Sequence, residues 1–368
     1  MVATAQRFRE EHCEIHIEWE IRSLQQFADV PLTALAAKYD LLVIDHPSVG
    51  PAVEGGILTP LDEWISSQFL KDQATNSVGL SHESYLYEGR QWALAIDAAT
   101  PVSGWRQDLL DRQKTPIPKS WCDLLDLAQR GMVAVPAIPI DSLMHFYMLC
   151  GALGEDPFLR STVVVEESVG VEALEMQRAL MLLCDPSCFK MNPIAVWELL
   201  SSGDRVAYCP FAYGYSNYSR EGYAKNILST GGLVKFERSG ECRSTLGGAG
   251  LAISASCHHK EIAAKYACFV ASENCQRTLY FESGGQPAHL AAWKSAEVNR
   301  RCNDFFEATL PTLQTAYLRP RFCGYLDFQE NASVMAHKYL TRGGAAQATI
   351  AELNKLLRGC REKVRGEP

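Results

Sequence analysis

The feature that most constrains this chain is an uninterrupted apolar run, Leu41 to Ile44, that ends abruptly at polar residues. Such a run, bounded by turn residues, is typical of a strand buried on both faces, and these strands belong mostly to parallel sheets covered by helices. Asp45, His46 and Pro47 follow it directly. Because ligands in open α/β sheets bind outside the carboxyl ends of the strands, this loop is the first candidate for a binding site.

Length and charge set the next limits. A chain of 368 residues exceeds what one hydrophobic core usually supports, which predicts two domains or lobes. It contains no run of 18 or more apolar residues, as a membrane-spanning helix would need. The net charge of −8 argues against nucleic acid as a partner, because binding phosphates needs clustered Lys and Arg.

The thirteen cysteines are many for this length, and most lie in apolar segments, which indicates buried, reduced thiols. An odd number leaves at least one thiol unpaired, and oxidising compartments disfavour such sequences. Cys184 and Cys188 are closely spaced, but no second pair or His cluster accompanies them. We therefore expect no metal site and no cofactor.

Residues 1–12 have the spacing of an amphipathic helix, with no basic region followed by the apolar core of a signal peptide. A chain that opens inside a helix raises the expectation that its natural start lies upstream. Residues 13–20 then alternate apolar and polar, which predicts a strand, and residues 22–39 return to helical spacing.

Residues 81–113 predict a hairpin, with a turn at Glu88 and Gly89 and a second strand that ends beside Asp97. Residues 100–102 form an extended connector, where we place the first crossover between lobes. Residues 247–250 are a glycine-rich turn before a short strand at 251–254, and close backbone packing explains them better than phosphate binding.

A strand at residues 206–209 ends at Pro210 and leads into a segment rich in aromatic residues. Phe and Tyr present flat apolar faces on which a sugar ring can stack, and Tyr hydroxyls and Asn amides can form hydrogen bonds with it. The alternatives are an aromatic core edge or a subunit contact.

Four stretches together carry a resemblance to a known family. They are YDLLVIDHPSVGPAVEGGILTPLDEW, then YEGRQWALAIDAATPVSGWRQDLL with PIPKSWCDLLDLA, then GDRVAYCPFAYG, and then GGAGLAISASCHHKEIAAKYACFVASENCQ with GGQPAH. In this order they resemble the extracellular solute-binding proteins of bacterial ABC transporters, in the carbohydrate-type family of maltose-binding protein. The resemblance covers nearly the whole chain.

The resemblance implies a two-lobed α/β fold of the type II periplasmic-binding-protein class, each lobe a mainly parallel sheet flanked by helices, with a cleft between the lobes. The implied boundaries are residues 1–98 with 246–298 for lobe one, 103–240 with 300–368 for lobe two, and hinge crossovers near 98–102 and 240–246.

The resemblance also implies ligand contacts from loops at strand ends in both lobes and from a segment before a carboxy-terminal helix. The candidate ligand-binding residues are Asp45, His46, Pro47, Asp97, Ala99, Thr100, Phe211, Tyr213, Tyr215, Asn217, Gly248, Arg321 and Tyr325.

The implied function is the solute-binding component of an ABC importer, a monomer that captures a small polar, sugar-like ligand and delivers it to a membrane permease. Asp45 and Asp97 suit hydroxyl-rich or cationic ligands, because carboxylates accept hydrogen bonds from hydroxyls and pair with ammonium groups. One alternative is an enzyme with Asp45 and His46 as acid and base, although no GxSxG nucleophile motif is present. Another is a cytoplasmic ligand sensor.

The chain departs from the family at its start. The family normally opens with a signal peptide and a strand before the helix that begins here, which suggests a misassigned start or a truncated reading frame. We expect a periplasmic protein if a signal peptide lies upstream, and a cytoplasmic one otherwise, as the thirteen cysteines would suit.

Overall fold

The structure, a computed structural model, describes residues 1–21, 31–236 and 240–365. The chain divides into two compact units. Unit 1 comprises Met1–Ala99 and Gly247–Asn299, and unit 2 comprises Thr100–Leu246 and Arg300–Pro368. Each unit is therefore built from segments that lie far apart in the sequence.

The described helices and strands follow one another along the chain with these bounds. They are α1 Val2–Glu11, α2 Leu32–Lys38, β1 Leu41–Ile44, α3 Val49–Glu54, α4 Ser67–Thr75, β2 Leu86–Tyr87, β3 Arg90–Gln91, β4 Ala93–Ala99, β5 Pro101–Trp105, α5 Gln107–Arg112, α6 Trp121–Gln129, α7 Pro139–Ala152, α8 Glu167–Leu183, α9 Pro193–Ser202, β6 Tyr208–Tyr213, β7 Ser229–Gly231, β8 Lys235–Phe236, β9 Gly240–Glu241, β10 Gly247–Ile253, α10 Lys260–Ala271, α11 Glu273–Cys275, α12 Leu290–Trp293, α13 Ala296–Arg300, α14 Phe305–Gln314, α15 Tyr325–Arg342 and α16 Ala346–Arg365.

The sheet of unit 1 has the order β1-β10-β4, with β10 in the middle. Leu251 of β10 lies opposite Val43 on one side and Leu94 on the other. Helix α10 packs on this sheet through apolar residues such as Tyr266 and Val270, which share a core with Leu251 and Leu94. The long apolar run of β1 thus reaches the core by joining a strand from a distant segment.

Two expectations for unit 1 are wrong, and a third can be compared with only part of the described chain. Both pairings of its sheet are antiparallel rather than parallel, because the partner of β1 comes from the second segment of the unit and local sequence does not reveal its direction. Residues 15–21 have no regular secondary structure, although a strand was expected at 13–20. The helix expected at 22–39 is described only as α2, and residues 22–30 lie outside the described part.

The hairpin predicted in unit 1 is confirmed. Strands β2 and β3 pair antiparallel, with Leu86 opposite Gln91 and Tyr87 opposite Arg90. Glu88 and Gly89 both have positive φ, 50° and 76°, as a tight two-residue hairpin turn requires.

The sheet of unit 2 has the order β6-β5-β7, and its pairings are also antiparallel. Helix α7 is buried over almost its whole length, consistent with its apolar sequence. Helix α6 is capped at its start, because Ser120 and Asp123 form a reciprocal capping box. After α6, Val133 forms an isolated parallel bridge with Tyr208 of β6.

Two further boundaries differ from expectation. Strand β6 continues through Pro210 to Tyr213, so the first aromatic residues lie in the sheet and not in a loop. The glycines at 247–250 open strand β10 instead of forming a turn before it. Along the described part of the chain, no helix combines the length and hydropathy that crossing a membrane requires.

Candidate functional site

The loop after β1 is held in its conformation by hydrogen bonds between its own residues. The Asp45 carboxylate accepts a hydrogen bond from the backbone N–H of His46 at 2.8 Å, and the Ser48 hydroxyl donates to the Asp45 carbonyl at 2.6 Å. His46 and Pro47 are buried, whereas the Asp45 side chain is 33% exposed. Of the three residues predicted here, Asp45 is therefore the one with surface available to a ligand.

Asp97 lies near the end of β4, where a turn from a distant segment is bonded to the strand. The backbone N–H of Gln286 donates to Asp97 Oδ2 at 3.2 Å, and the Gln286 side-chain amide donates to the Ala98 carbonyl at 2.9 Å. Burial raises the pKa of the Asp97 carboxyl to about 7, and the Gln286 hydrogen bond opposes that rise. Asp97 therefore populates both protonation states near neutral pH.

The backbone beside Asp97 is irregular. Ala99 pairs with Gly247 and Asp97 with Ala249, but the register shifts between Ala249 and Gly250. Gly248 has φ +110°, and a Cβ at this position would overlap the Asp97 carbonyl. Only glycine fits, so Gly248 has a structural role next to a candidate binding residue.

Gln286 is a residue that the sequence reasoning did not single out as part of a site. The available signal was the stretch GGQPAH, which entered the sequence reasoning only as part of the family resemblance. Its role depends on its position beside β4, and that position comes from the fold of unit 1.

In unit 2, three hydroxyl residues are connected. The Thr100 hydroxyl donates to the Thr245 carbonyl at 2.8 Å, and the Thr245 hydroxyl lies 3.2 Å from the Tyr213 hydroxyl. Thr100 and Thr245 are buried, whereas Tyr213 is half-buried at the end of β6. Thr245 was missed from the sequence, because its contact with Tyr213 joins segments that are 32 residues apart.

The other aromatic candidates of unit 2 differ in burial: one lies in the core and the other at the surface. Phe211 is buried, and its ring packs edge-on against His145 of α7 with centroids 4.6 Å apart. Tyr215 is 38% exposed and precedes a short helical turn at Ser216–Ser219, which contains the half-buried Asn217. The core-edge alternative therefore describes Phe211, whereas Tyr215 and Asn217 keep exposed surface.

The carboxy-terminal candidates also differ from each other. Tyr325 is the first residue of α15 and is fully buried, with its ring against Phe158 and Phe322. Arg321 is half-buried in the preceding segment. Tyr325 thus belongs to the core of unit 2.

Helix α7 carries a second pair of titratable residues that the sequence reasoning passed over. Asp141 and His145 are four residues apart and therefore share a helix face, and both are buried. Burial raises the pKa of Asp141 to about 7 and lowers that of His145 to about 3. Within the described ranges, no group of three or more His, Cys, Asp or Glu residues could hold a metal ion.

Comparisons with known proteins agree with this architecture. A family model described as bacterial extracellular solute-binding protein matches residues 3–302. No curated protein sequence matches the chain.

Three solved structures are similar to the chain over nearly its full length. Maltose-bound MalE3 from T. maritima has a TM-score of 0.83 at 20% identity, covering 97% of this chain and 94% of that one. A ribitol-bound solute-binding protein from Agrobacterium radiobacter K84 has a TM-score of 0.81 at 16% identity, with coverage of 97% and 94%. A tagatose-bound relative from Thermotoga lettingae has a TM-score of 0.80 at 20% identity, with coverage of 97% and 95%.

These likenesses confirm the predicted fold class, the two-lobed α/β fold of type II periplasmic binding proteins. The family match covers most of the chain, and the protein therefore belongs to the bacterial extracellular solute-binding family. Its family consists of solute-binding proteins rather than enzymes.

Proposed function

We propose that this protein binds a small hydroxyl-rich solute, a sugar or a polyol, and passes it unchanged to the permease of an ABC importer. The observation that carries the proposal is Tyr213, a half-buried ring whose hydroxyl lies 3.2 Å from the Thr245 hydroxyl. A fixed aromatic face with a polar edge matches the mixed surface of a sugar ring. The similar proteins described with maltose, ribitol and tagatose support the same class of ligand.

Unit 1 supplies the polar part of the proposal. Asp45 keeps exposed surface, and Asp97 has a pKa of about 7. An ionised carboxylate accepts hydrogen bonds from sugar hydroxyls, and a protonated one can also donate to them. A neutral polyhydroxy ligand can therefore bind Asp97 in either protonation state.

A cationic solute is the second candidate, because two of the unit 1 candidates, Asp45 and Asp97, carry carboxyl groups. An ammonium group binds only the ionised form of Asp97, and its affinity would rise as pH passes through 7. A neutral sugar would show a much smaller dependence. Binding measured on both sides of neutral pH therefore separates the two classes.

The test is a thermal-shift screen of the purified chain against sugars, polyols, amino acids, organic acids and amines, because a ligand that binds only the folded state raises the melting temperature. Hits are titrated by calorimetry at pH 6 and pH 8. Saturable binding of a sugar or polyol, with the ligand recovered chemically unchanged, is the expected result. Consumption of the ligand would instead establish an enzyme, and a purely cationic set of hits would favour the second candidate.

We further propose that the protein works in the periplasm as a monomer, in keeping with its extracellular family. Its thirteen cysteines are free thiols, most of them buried, where oxidants have little access. Release by osmotic shock together with periplasmic markers is the expected result. Retention with cytoplasmic markers would favour an intracellular ligand sensor.

A further inference from the structure

Two cavities of unit 2 differ in the chemistry of their walls. The larger, of about 390 Å³, lies beside the start of β6 and is lined mainly by apolar side chains, among them Leu199 and Val206. The smaller, of about 260 Å³, is lined by three arginines, Arg112, Arg130 and Arg205. We call them the apolar cavity and the arginine cavity.

The two cavities adjoin each other, because Asp204 and Arg205 line both of them. Gly131, just after the end of α6, has φ +69°, and a Cβ at this position would come within 3.1 Å of Arg205 Nη2. The Arg205 guanidinium therefore lies against the Gly131 backbone, which also lines the apolar cavity. Arg205 thus places its positive charge at the boundary between the two cavities.

The arginine cavity carries more positive charge than its own side chains neutralise. In the described part of the chain none of its three arginines forms an ion pair, and Arg130 Nη1 donates to the Thr115 hydroxyl at 2.6 Å. Among the described residues that line this cavity, Asp204 is the one carboxylate, and it lies 4.0 Å from Arg106. Like charges in one cavity repel each other, and a bound anion would remove that repulsion. This positive charge is local, because the whole chain carries −8.

One carboxylate of the apolar cavity lies near Arg205. Asp185 accepts a hydrogen bond from the Ser187 N–H at 2.9 Å. Hydrogen bonds from Ser187 contribute most to the lowered pKa of Asp185, and Arg205 contributes less. Both charged side chains are exposed, so solvent weakens their attraction. The Arg205 guanidinium therefore keeps donors available for another anion.

The apolar cavity has the size of a short hydrocarbon chain. A methylene group occupies about 30 Å³, as a water molecule does in the liquid, so the cavity has space for about ten carbons. The buried thiols of Cys184 and Cys188 add to its apolar wall, because free cysteines behave as small hydrophobic groups. Guanidinium groups match carboxylates and phosphates through paired N–H donors. An apolar chain with an anionic head therefore fits both cavities at once.

We propose that the apolar cavity and the arginine cavity together bind an amphiphilic anion, with a carboxylate or phosphate head beside Arg205 and a chain of about ten carbons in the apolar cavity. Residues 203–206 come just before β6, whereas Tyr213 is its last residue, roughly 20 Å further along the chain. This site is therefore separate from the proposed solute site.

The first test is calorimetry with decanoate and decyl phosphate, each below its micelle concentration. Saturable binding of one molecule per chain is expected for both. Decanol lacks the negative charge and decyltrimethylammonium reverses it, so each should bind at least about tenfold more weakly. Equal binding of decanoate and decanol would overturn the proposal, because the arginines would then contribute nothing.

A series of chain lengths tests the apolar cavity itself. From hexanoate to decanoate, each added methylene should strengthen binding about two- to fourfold. The gain should stop within a few carbons beyond decanoate, because the cavity is then full. An affinity that keeps rising to tetradecanoate, or one that does not change with length, would contradict a chain enclosed in this cavity. Both of these tests use the unchanged protein and do not depend on whether a variant folds.

Variants of the protein test the anionic head. Arg205→Gln should weaken decanoate binding at least about tenfold, because it removes the charge at the boundary of the two cavities. Arg277→Gln is the matched control, because Arg277 is an exposed arginine of unit 1 that pairs with Glu273 at 3.4 Å. It should bind decanoate as the parent does. Thermal melts establish that both variants are folded, and an equal loss of binding in both would overturn the proposal in favour of general charge attraction.

Flotation with vesicles distinguishes a membrane lipid from a free amphiphile as the source of the anion. Capture by phosphatidylglycerol vesicles but not by phosphatidylcholine vesicles, lost in Arg205→Gln, would support the proposal with a membrane lipid as the source. Binding of decanoate without capture by either vesicle would support it with a free amphiphile. Capture by phosphatidylglycerol vesicles without any binding of decanoate or decyl phosphate would overturn the proposal, because attraction between surface charges would explain it.

Discussion

The two three-stranded sheets in the described part of this protein each carry an irregularity beside candidate binding residues, but the groups that lie against the irregular glycines differ in kind. In unit 1, Gly248 lies against the backbone of Asp97, which belongs to the adjacent strand. In unit 2, the register shifts between Val102 and Gly104, and Gly104 lies against the ring of Trp197. A backbone held by ladder hydrogen bonds cannot move aside, whereas a ring can shift within the core. Unit 1 should therefore tolerate change at this point less than unit 2.

The largest expected effect comes from Gly248→Val. The new side chain meets the Asp97 carbonyl and forces a β-branched residue into φ +110°, so we expect the free energy of unfolding to fall by about 3–6 kcal/mol. Gly104→Ala should cost only about 1–3 kcal/mol, because its neighbour is a side chain. Urea denaturation of both variants and the parent gives the two values.

A matched control separates strain from overlap. Gly56 also has positive φ, +63°, but nothing lies within 4 Å of its Cβ position, so Gly56→Val should cost only about 1–2 kcal/mol. A Gly248→Val cost no larger than this control would contradict the close approach of β10 to Asp97.

This comparison shows where sequence reasoning succeeded and where it could not. The order of local patterns led to the correct fold class. Features such as the hairpin at Glu88 and the apolar run of β1 are determined by residues that are neighbours in the sequence. The expectation of close packing around Gly248 was also right in kind. Its position inside β10, however, depends on pairing with β4, about 150 residues earlier in the sequence.

The candidate site shows the same limit. Tyr213 and Asp97 could be proposed from their residue types and their positions near strand ends. Thr245 and Gln286 could not, because their roles arise from contacts between distant segments. Burial of Phe211 and Tyr325 also depends on which helices cover them, and this is decided by tertiary packing.

The second prediction compares one carboxyl from each unit, that of the half-buried Asp97 and that of the buried Asp141. The pKa of Asp97 in unit 1 and of Asp141 in unit 2 is about 7, above the ordinary 3.8, because burial disfavours the charged form. The folded state then holds more protons than the unfolded state between about pH 4 and pH 7. Each carboxyl therefore makes stability fall as pH rises through that interval, with little change above it.

Replacing either residue with Asn should remove its contribution to this loss of stability with rising pH. At pH 8 each variant should be more stable than the parent by at most about 4 kcal/mol, from about 1.4 kcal/mol per pKa unit. The test is urea denaturation at pH 5 and pH 8. The side-chain amide oxygen of Asp97→Asn can still accept the hydrogen bond from the Gln286 N–H, so the two variants should gain similar amounts. Parallel pH profiles for parent and variants would contradict the raised pKa values.

The third prediction concerns binding and rests on the proposed function. Tyr213→Ala should weaken affinity for the solute found in the screen by about 1–3 kcal/mol, the range for losing a buried ring contact and its hydrogen bond. Tyr223→Ala is the control, because Tyr223 is 55% exposed and is not a candidate. Calorimetry measures both, and an unchanged dissociation constant for Tyr213→Ala would remove this residue from the site.

The smallest expected effect tests whether side-chain hydroxyls help to hold the unit 2 region together. Tyr213→Phe and Thr245→Val each remove one of two hydroxyls that lie 3.2 Å apart, and each should cost about 1 kcal/mol of stability. If the hydroxyls interact, the double variant should cost about 0.5–1 kcal/mol less than the sum of the single variants. Strict additivity would instead mean that the two hydroxyls do not stabilise each other, and that the strand pairing of β6, not this contact, positions Tyr213 as it positions Asp97 in unit 1.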